Sequence, residues 1–155
     1  MTLLRRAEPV IRPLMRAYFR LRRSMTLGAR GVVLDEDGRV LLVEHTYSDG
    51  WHLPGGGVER GETCEAAMRR ELEEEAGVRA EGPLRLIAVD NNEKLFRGDH
   101  VLVHRVERWR PCPSNRVGEI SQVGWFEPHA LPERTTADTR RRVAAALAWP
   151  EPHPG

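Results

Sequence analysis

The chain has 155 residues, 40% hydrophobic and 30% charged, with a formal net charge of +1. That length supports one domain with its own core, and the charge balance excludes a chain held to nucleic acid or membrane by bulk electrostatics. No apolar run approaches the roughly 18–20 residues that cross a bilayer, and Arg12, Pro13, Arg16 and Arg20 interrupt the apolar core of a signal peptide.

The charge is uneven along the chain: residues 1–30 hold eight arginines and one acid, Glu8, and Lys94 is the only lysine. In "PVIRPLMRAYFRLRRSM", Leu14, Tyr18, Leu21 and Met25 recur at helical spacing, while Arg12, Arg16, Arg20 and Arg23 line another face. Residues 1–25 are thus expected to form a basic amphipathic helix. Its apolar face would pack on the domain itself or on a second copy as a homodimer; lying on an anionic membrane is the third alternative.

Two strand-like runs follow, "LGARGVVLD" and "GRVLLVEHT", joined by "EDG", whose Asp-Gly predicts a hairpin. "WHLPGGGVERGE" is a glycine-rich loop. Residues 64–76 read as a helix, with Thr63 as N-cap, Gly77 as stop, and Cys64, Met68, Leu72 and Ala76 as the buried seam. "LRLIAVDN" and "HVLVHRVERW" read as strands around a polar loop, and "SQVGWFE" as a further strand. "TADTRRRVAAALAW" closes as a helix ended by Pro150, and the tail at 151–155 frays. This order predicts an α/β fold with a mixed sheet and helices on its faces. The domain division expected is 1–25, 26–150 and 151–155. Cys64 and Cys112 fall in no paired metal-ligand spacing, so free thiols in a reducing cytoplasm are expected.

The stretch "RRELEEEAGV" puts four glutamates into five positions. At about 100° per residue, Glu71 and Glu75 lie one above the other, Glu74 flanks them, and Glu73 points away. Arg70 can pair with Glu74 at i+4. Three carboxylates beside a buried seam repel unless something positive joins them. Magnesium, a hard ion that takes carboxylate oxygens together with substrate phosphates, would resolve the conflict. The bland alternative is a solvated helix face. Gly55, Gly56 and Gly57 weigh against it, because a backbone without Cβ atoms can approach phosphate oxygens and aim amides at them.

The run "GGVERGETCEAAMRRELEEEAGV", Gly56 to Val78, resembles the signature of the Nudix hydrolases. Gly56, Glu62, Arg70, Glu71, Leu72, Glu74, Glu75, Gly77 and Val78 occupy every fixed place of that signature. The resemblance implies an α/β/α sandwich over residues 26–150. It implies cleavage of a nucleoside diphosphate linked to another moiety, by water attack on the pyrophosphate with one to three Mg2+ or Mn2+ ions. Glu71, Glu74 and Glu75 match the metal ligands, Arg70 the arginine that orients them, and Glu62 a glutamate that braces loop and helix. Glu71 or Glu74 is a candidate base. Outside the signature, Glu119 resembles a functional acid in a loop before a Trp-Phe pair, as a base or metal ligand; a solvated loop glutamate is the alternative.

Substrate recognition is thinner. Trp51 and Phe96 are candidates to stack on a base, or packing residues. Asn91, Asn92, Asp99 and His100 bracket a loop that could read a sugar or base. His45 and His52 flank "TYSDGW", and oxygen ligands make a metal role for them unnecessary. Trp109 reads as rim packing. The substrate expected is a nucleoside diphosphate compound, with no stable nucleic-acid partner. The competing class is a nucleotide-sensing domain without turnover, against which the full glutamate set argues. A metal-dependent diphosphate isomerase is a third reading, for which the chain is short.

Overall fold

The computed structural model describes Met15, Tyr18 and residues 25–92, 97–115 and 118–150. The amphipathic helix expected over residues 1–25 falls outside the described residues except for helical Met15 and Tyr18 and for Met25; the tail at 151–155 is also outside them. In chain order the elements are β1 (Thr26–Val33), β2 (Val40–His45), β3 (Trp51–His52), α1 (Cys64–Glu71) running into a π-helical turn (Leu72–Ala76), β4 (Val78–Ala80), β5 (Arg85–Asn91), β6 (Asp99–Val106), β7 (Trp109–Pro111), β8 (Ile120–Phe126) and α2 (Ala137–Ala148).

Strand β1 organises the sheet because both of its edges are used. One edge pairs in parallel with β6, from Thr26 against Asp99 to Val33 against Val106, and β6 in turn pairs antiparallel with β5. The other edge takes the glycine-rich segment. Ala29 N donates to Gly56 O at 2.8 Å, Gly31 N to Pro54 O at 3.0 Å, and Val58 N to Leu27 O at 2.8 Å. Strands β3, β2 and β8 form an antiparallel set, and β4 and β7 a separate ribbon.

Helices cover both faces. Val32, Leu34, Val40 and Leu42 pack with Trp51, Val103 and, from α2, Val143 and Ala146. Ala29, Val33 and Leu41 pack with Met68, Leu72 and Val106. Alternate residues of the same strands therefore feed opposite layers. This is why Val40 to Val43 are buried without a break, as in a sheet covered on both sides. The result is the expected α/β/α sandwich with a mixed sheet. Arg105 Nη1 donates to the carbonyls of Ala146 and Trp149 at 3.1 and 3.2 Å, satisfying the exposed end of α2. Among the described residues, no helix is long and apolar enough to cross a membrane.

Three local expectations change. The Asp-Gly turn forms, with Gly38 N bonded to Asp35 O at 3.0 Å and Leu34 bridged to Val40, but no β1–β2 ladder extends from it. With β6 and the glycine segment on its two edges, β1 has no bonding edge left for β2. Helix 64–76 begins at Thr63, whose Oγ1 accepts from Ala66 N at 3.1 Å, and stops at Gly77 with φ of 63°, yet it widens to a π turn after Glu71. The run "HVLVHRVERW" divides into β6 and β7. Strands β3, β4 and β7 hold two or three residues, too few to show an alternation in sequence.

His104 on β6 is buried, and its Nδ1 has no hydrogen-bond partner. Burial lowers its pKa below the ordinary 6.5, so the folded protein holds it neutral. The unfolded chain takes up a proton as pH falls through about 6.5. The associated stability is therefore complete above that pH and is lost as pH falls from there toward the lowered folded value. His104→Leu removes this uptake. In thermal melts its Tm should match or exceed that of the wild type near neutrality, and should fall less on acidification to about pH 5.

Candidate active site

Helix α1 presses its acidic turn onto the glycine segment held by β1. Arg70 clamps the two together. Its Nε and Nη2 donate to Glu62 at 2.8 and 3.1 Å, Nη2 also reaches Gly57 O at 3.2 Å, and Nη1 reaches Glu71 at 2.7 Å and Glu74 at 3.3 Å. The hydrogen bonds from Arg70 hold the Glu62 carboxyl down to about 2, so Glu62 is an anion at any physiological pH.

Two carboxylates touch the glycine backbone directly. Gly55 N donates to Glu75 Oε2 at 2.9 Å. Gly56 lies so close to Glu71 that a Cβ there would stand 2.5 Å from Glu71 Oε1. The absence of a side chain at 56 is thus what admits the Glu71 carboxylate. Both glutamates are 3% exposed. His45 Nδ1 is 3.9 Å from the second oxygen of Glu75.

The helix ends in a π turn, and Arg70 Nη1 bridges Glu71 and Glu74. Glu71 and Glu75 line a cavity of about 420 Å³ with Gly55, Gly56, Gly57, Arg30, His45 and Tyr47, a size that suits a small molecule. Glu74 stays outside it on Arg70, and Glu73 pairs away from it with Arg79 at 2.9 Å. Among the described residues, no three acid, histidine or cysteine side chains are gathered closely enough to hold a metal ion as they stand.

Arg30 was not anticipated. Its Nη1 donates to Gly55 O, and it lines the cavity floor beside the glutamates. Burial lowers its pKa, with Glu75 and Glu71 opposing that shift by their charge. The signal was present in "GARGVVL": a lone arginine inside an apolar strand needs an anionic partner.

The candidate recognition residues are scattered. Trp51 is 9% exposed and packs edge-on against Phe126 with ring centroids 4.8 Å apart, so it is a core residue rather than a stacking platform. Asn92 donates to Asp99 at 2.7 Å and pins the ends of β5 and β6, two strands away from the glycine segment. Phe96 lies outside the described residues. Glu119 is exposed in the loop before β8; its carbonyl accepts from Thr46 N at 2.9 Å, which sets it beside the rim residue Tyr47 but not in the cavity lining. His52 has its pKa lowered by burial and contacts Ser48 at 3.4 Å. Trp109 stacks on Trp125 at 5.0 Å, as rim packing would.

The chain is thus an α/β/α sandwich that sets buried carboxylates against a bare glycine backbone, with arginines on two sides of a charged cleft. This chain belongs to the Nudix family: the NUDIX domain model matches residues 25–147. It is 35% identical over 132 residues to a MutT-like protein of Streptomyces ambofaciens, covering 83% of this chain and 80% of that one. It is 30% identical over 129 residues to the 8-oxo-dGDP phosphatase NUDT18 of Mus musculus, covering 81% of this chain but 39% of that one, well under two thirds of its length. The crystal structure of a MutT NUDIX hydrolase from Burkholderia pseudomallei superposes with a TM-score of 0.68 at 26% identity, over 79% of this chain and 98% of that one.

The Gly56–Glu71 contact is testable by stability. Gly56→Ala should cost about 1–3 kcal/mol in denaturant unfolding, as overpacking does. In a Glu71→Ala background most of that cost should vanish, because the atoms it strikes are gone. Equal costs in both backgrounds would mean that the loop does not rest on Glu71.

Proposed function

We propose that this chain is a divalent-metal-dependent hydrolase that cleaves the pyrophosphate bond of a nucleoside diphosphate linked to another moiety. The observation that carries this reading is the pair of buried carboxylates, Glu71 and Glu75, resting on a glycine backbone and lining with it one cavity of small-molecule size. The name of the mouse relative, an 8-oxo-dGDP phosphatase, supports a nucleotide-type substrate.

The donor set fits a hard cation. Carboxylate oxygens dominate it, with the His45 ring beside them, and oxygen ligands suit Mg2+ or Mn2+. Glu71 and Glu75 line the cavity, and Glu74 shares the Arg70 Nη1 donor with Glu71. Glu71, Glu74 and Glu75 would hold the ion, with Glu119 as a further ligand at the rim. Bound there, a divalent cation would screen phosphate charge and make water a better nucleophile at neutral pH.

The remaining work falls to the chain itself. Arg70 holds the glutamates and the loop in one arrangement through charge-assisted hydrogen bonds. The Gly55–Gly57 backbone lets phosphate oxygens approach the helix edge closely. Arg30 supplies a fixed positive charge at the cavity floor, where it can meet substrate oxygens. Glu71, Glu74 or Glu119 takes the proton from the attacking water. Two free cysteines suit a cytoplasmic location.

The test is formation of the nucleoside monophosphate and the phosphorylated second moiety from a panel of nucleoside diphosphate compounds with magnesium or manganese. EDTA should abolish turnover, and Glu74→Gln should lower it by orders of magnitude. Turnover that survives Glu74→Gln and Glu75→Gln together would overturn the assignment.

A further inference from the structure

The cavity has a wall that the hydrolase reading leaves without work. Tyr47 is 72% exposed, yet it lines the same cavity as Gly55, Gly56, Gly57, Glu71 and Glu75. Its ring sits 5.0 Å from that of His45, tilted by 30°. His45 is buried, stands 5.6 Å from the His52 ring, and has Nδ1 3.9 Å from Glu75. Three rings, His52, His45 and Tyr47, therefore adjoin in turn, with His45 the most buried and Tyr47 the most exposed.

The backbone beneath Tyr47 is tied to β8 and the loop before it. His45 ends β2, in register with Ile120 of β8. Thr46 is fastened on the same side, its N to Glu119 O at 2.9 Å and its Oγ1 to Gly118 O at 2.9 Å. A large aromatic held this way gives up no core packing and presents a flat face at low entropic cost. The same cavity is lined by the glycine backbone and the carboxylates. A ligand matching both the ring and this lining has an anionic end and a planar end, and a nucleoside diphosphate has both.

We propose that Tyr47, backed by His45, is the platform on which the base of the nucleoside moiety stacks. The proposal rests on the hydrolase reading of the same cavity and names the part of the substrate that reading leaves open. Stacking on a single ring tolerates different bases, so Tyr47 recognises the nucleoside class without selecting among bases.

The test separates binding from turnover. The affinity of the full chain for α,β-methylene-ADP and for base-free methylenediphosphonate is measured by calorimetry with magnesium, for wild type, Tyr47→Ala and Tyr47→Phe. Wild type should prefer the nucleotide analogue. Tyr47→Ala should weaken that binding about fivefold to a hundredfold, the usual contribution of one stacked base, and leave methylenediphosphonate unchanged. Tyr47→Phe should keep wild-type affinity. In turnover, Tyr47→Ala should raise KM with kcat little changed. Because the side chain is exposed, Tm should not move.

Equal affinity of wild type and Tyr47→Ala for the nucleotide analogue, or no wild-type preference for it over methylenediphosphonate, overturns the platform. If hydrolysis persists in either case, the hydrolase reading stands alone. If no compound is hydrolysed but the Tyr47-dependent preference is present, the platform stands and the hydrolase reading falls.

Discussion

The contact between the buried Glu71 and Glu75 carboxylates and the backbone of Gly55 and Gly56 is the constraint around which the molecule is arranged. It brings negative charge into a poorly solvated space, where charges interact strongly. That arrangement requires donors and counter-charges close by. Gly55 N supplies one donor, Arg70 holds Glu71 from the helix side, and Arg30 stands on the strand side. Glu62, Glu71, Glu74 and Glu75 still outnumber the two arginines. The surplus of negative charge is the opening on which the proposed cation site depends.

The fold serves that contact. Strand β1 holds the glycine segment with three main-chain hydrogen bonds, so the loop has the rigidity of a strand although it has the composition of a turn. On one face of the sheet, Met68 and Leu72 seat the helix so that its acidic edge meets the loop. On the other, α2 is fastened by Arg142 and Arg141 to Asp90 and by Arg105 to the carbonyls at its end. Loop and helix are thus positioned by separate contacts to the same strand. The cavity that both line is also bordered by Tyr47.

Residues whose role depends on near neighbours in the chain were legible. Thr63 as cap, Gly77 as stop, Met68 and Leu72 as seam, and the Arg70–Glu74 pair all follow from helical geometry over one or two turns. Residues whose role depends on distant partners were not. Trp51 and Tyr47 are both aromatic residues near the glycine loop, and nothing local says that Phe126 covers the first while the second stays at a cavity mouth. Asn92 had the right chemistry for recognition, but Asp99 across the strand pair engages it. Glu74 pairs with Arg70 as the helical period predicts, yet only Glu71 and Glu75 line the cavity, an outcome that depends on the loop packed against the helix.

The sequence by itself determined the class of fold, the family resemblance and the acidic helix beside a glycine loop, because hydrophobic period, caps and motif spacing are local properties of a covalent chain. The tertiary structure decided which edge of β1 the glycine segment occupies, that Arg30 enters the cleft, and that Glu71 and Glu75 rather than Glu74 face the cavity. It also decided which aromatic ring is covered by core and which borders the cleft. These outcomes depend on competition for strand edges and on packing between residues far apart in the chain, and neither leaves a periodic mark in the order of amino acids.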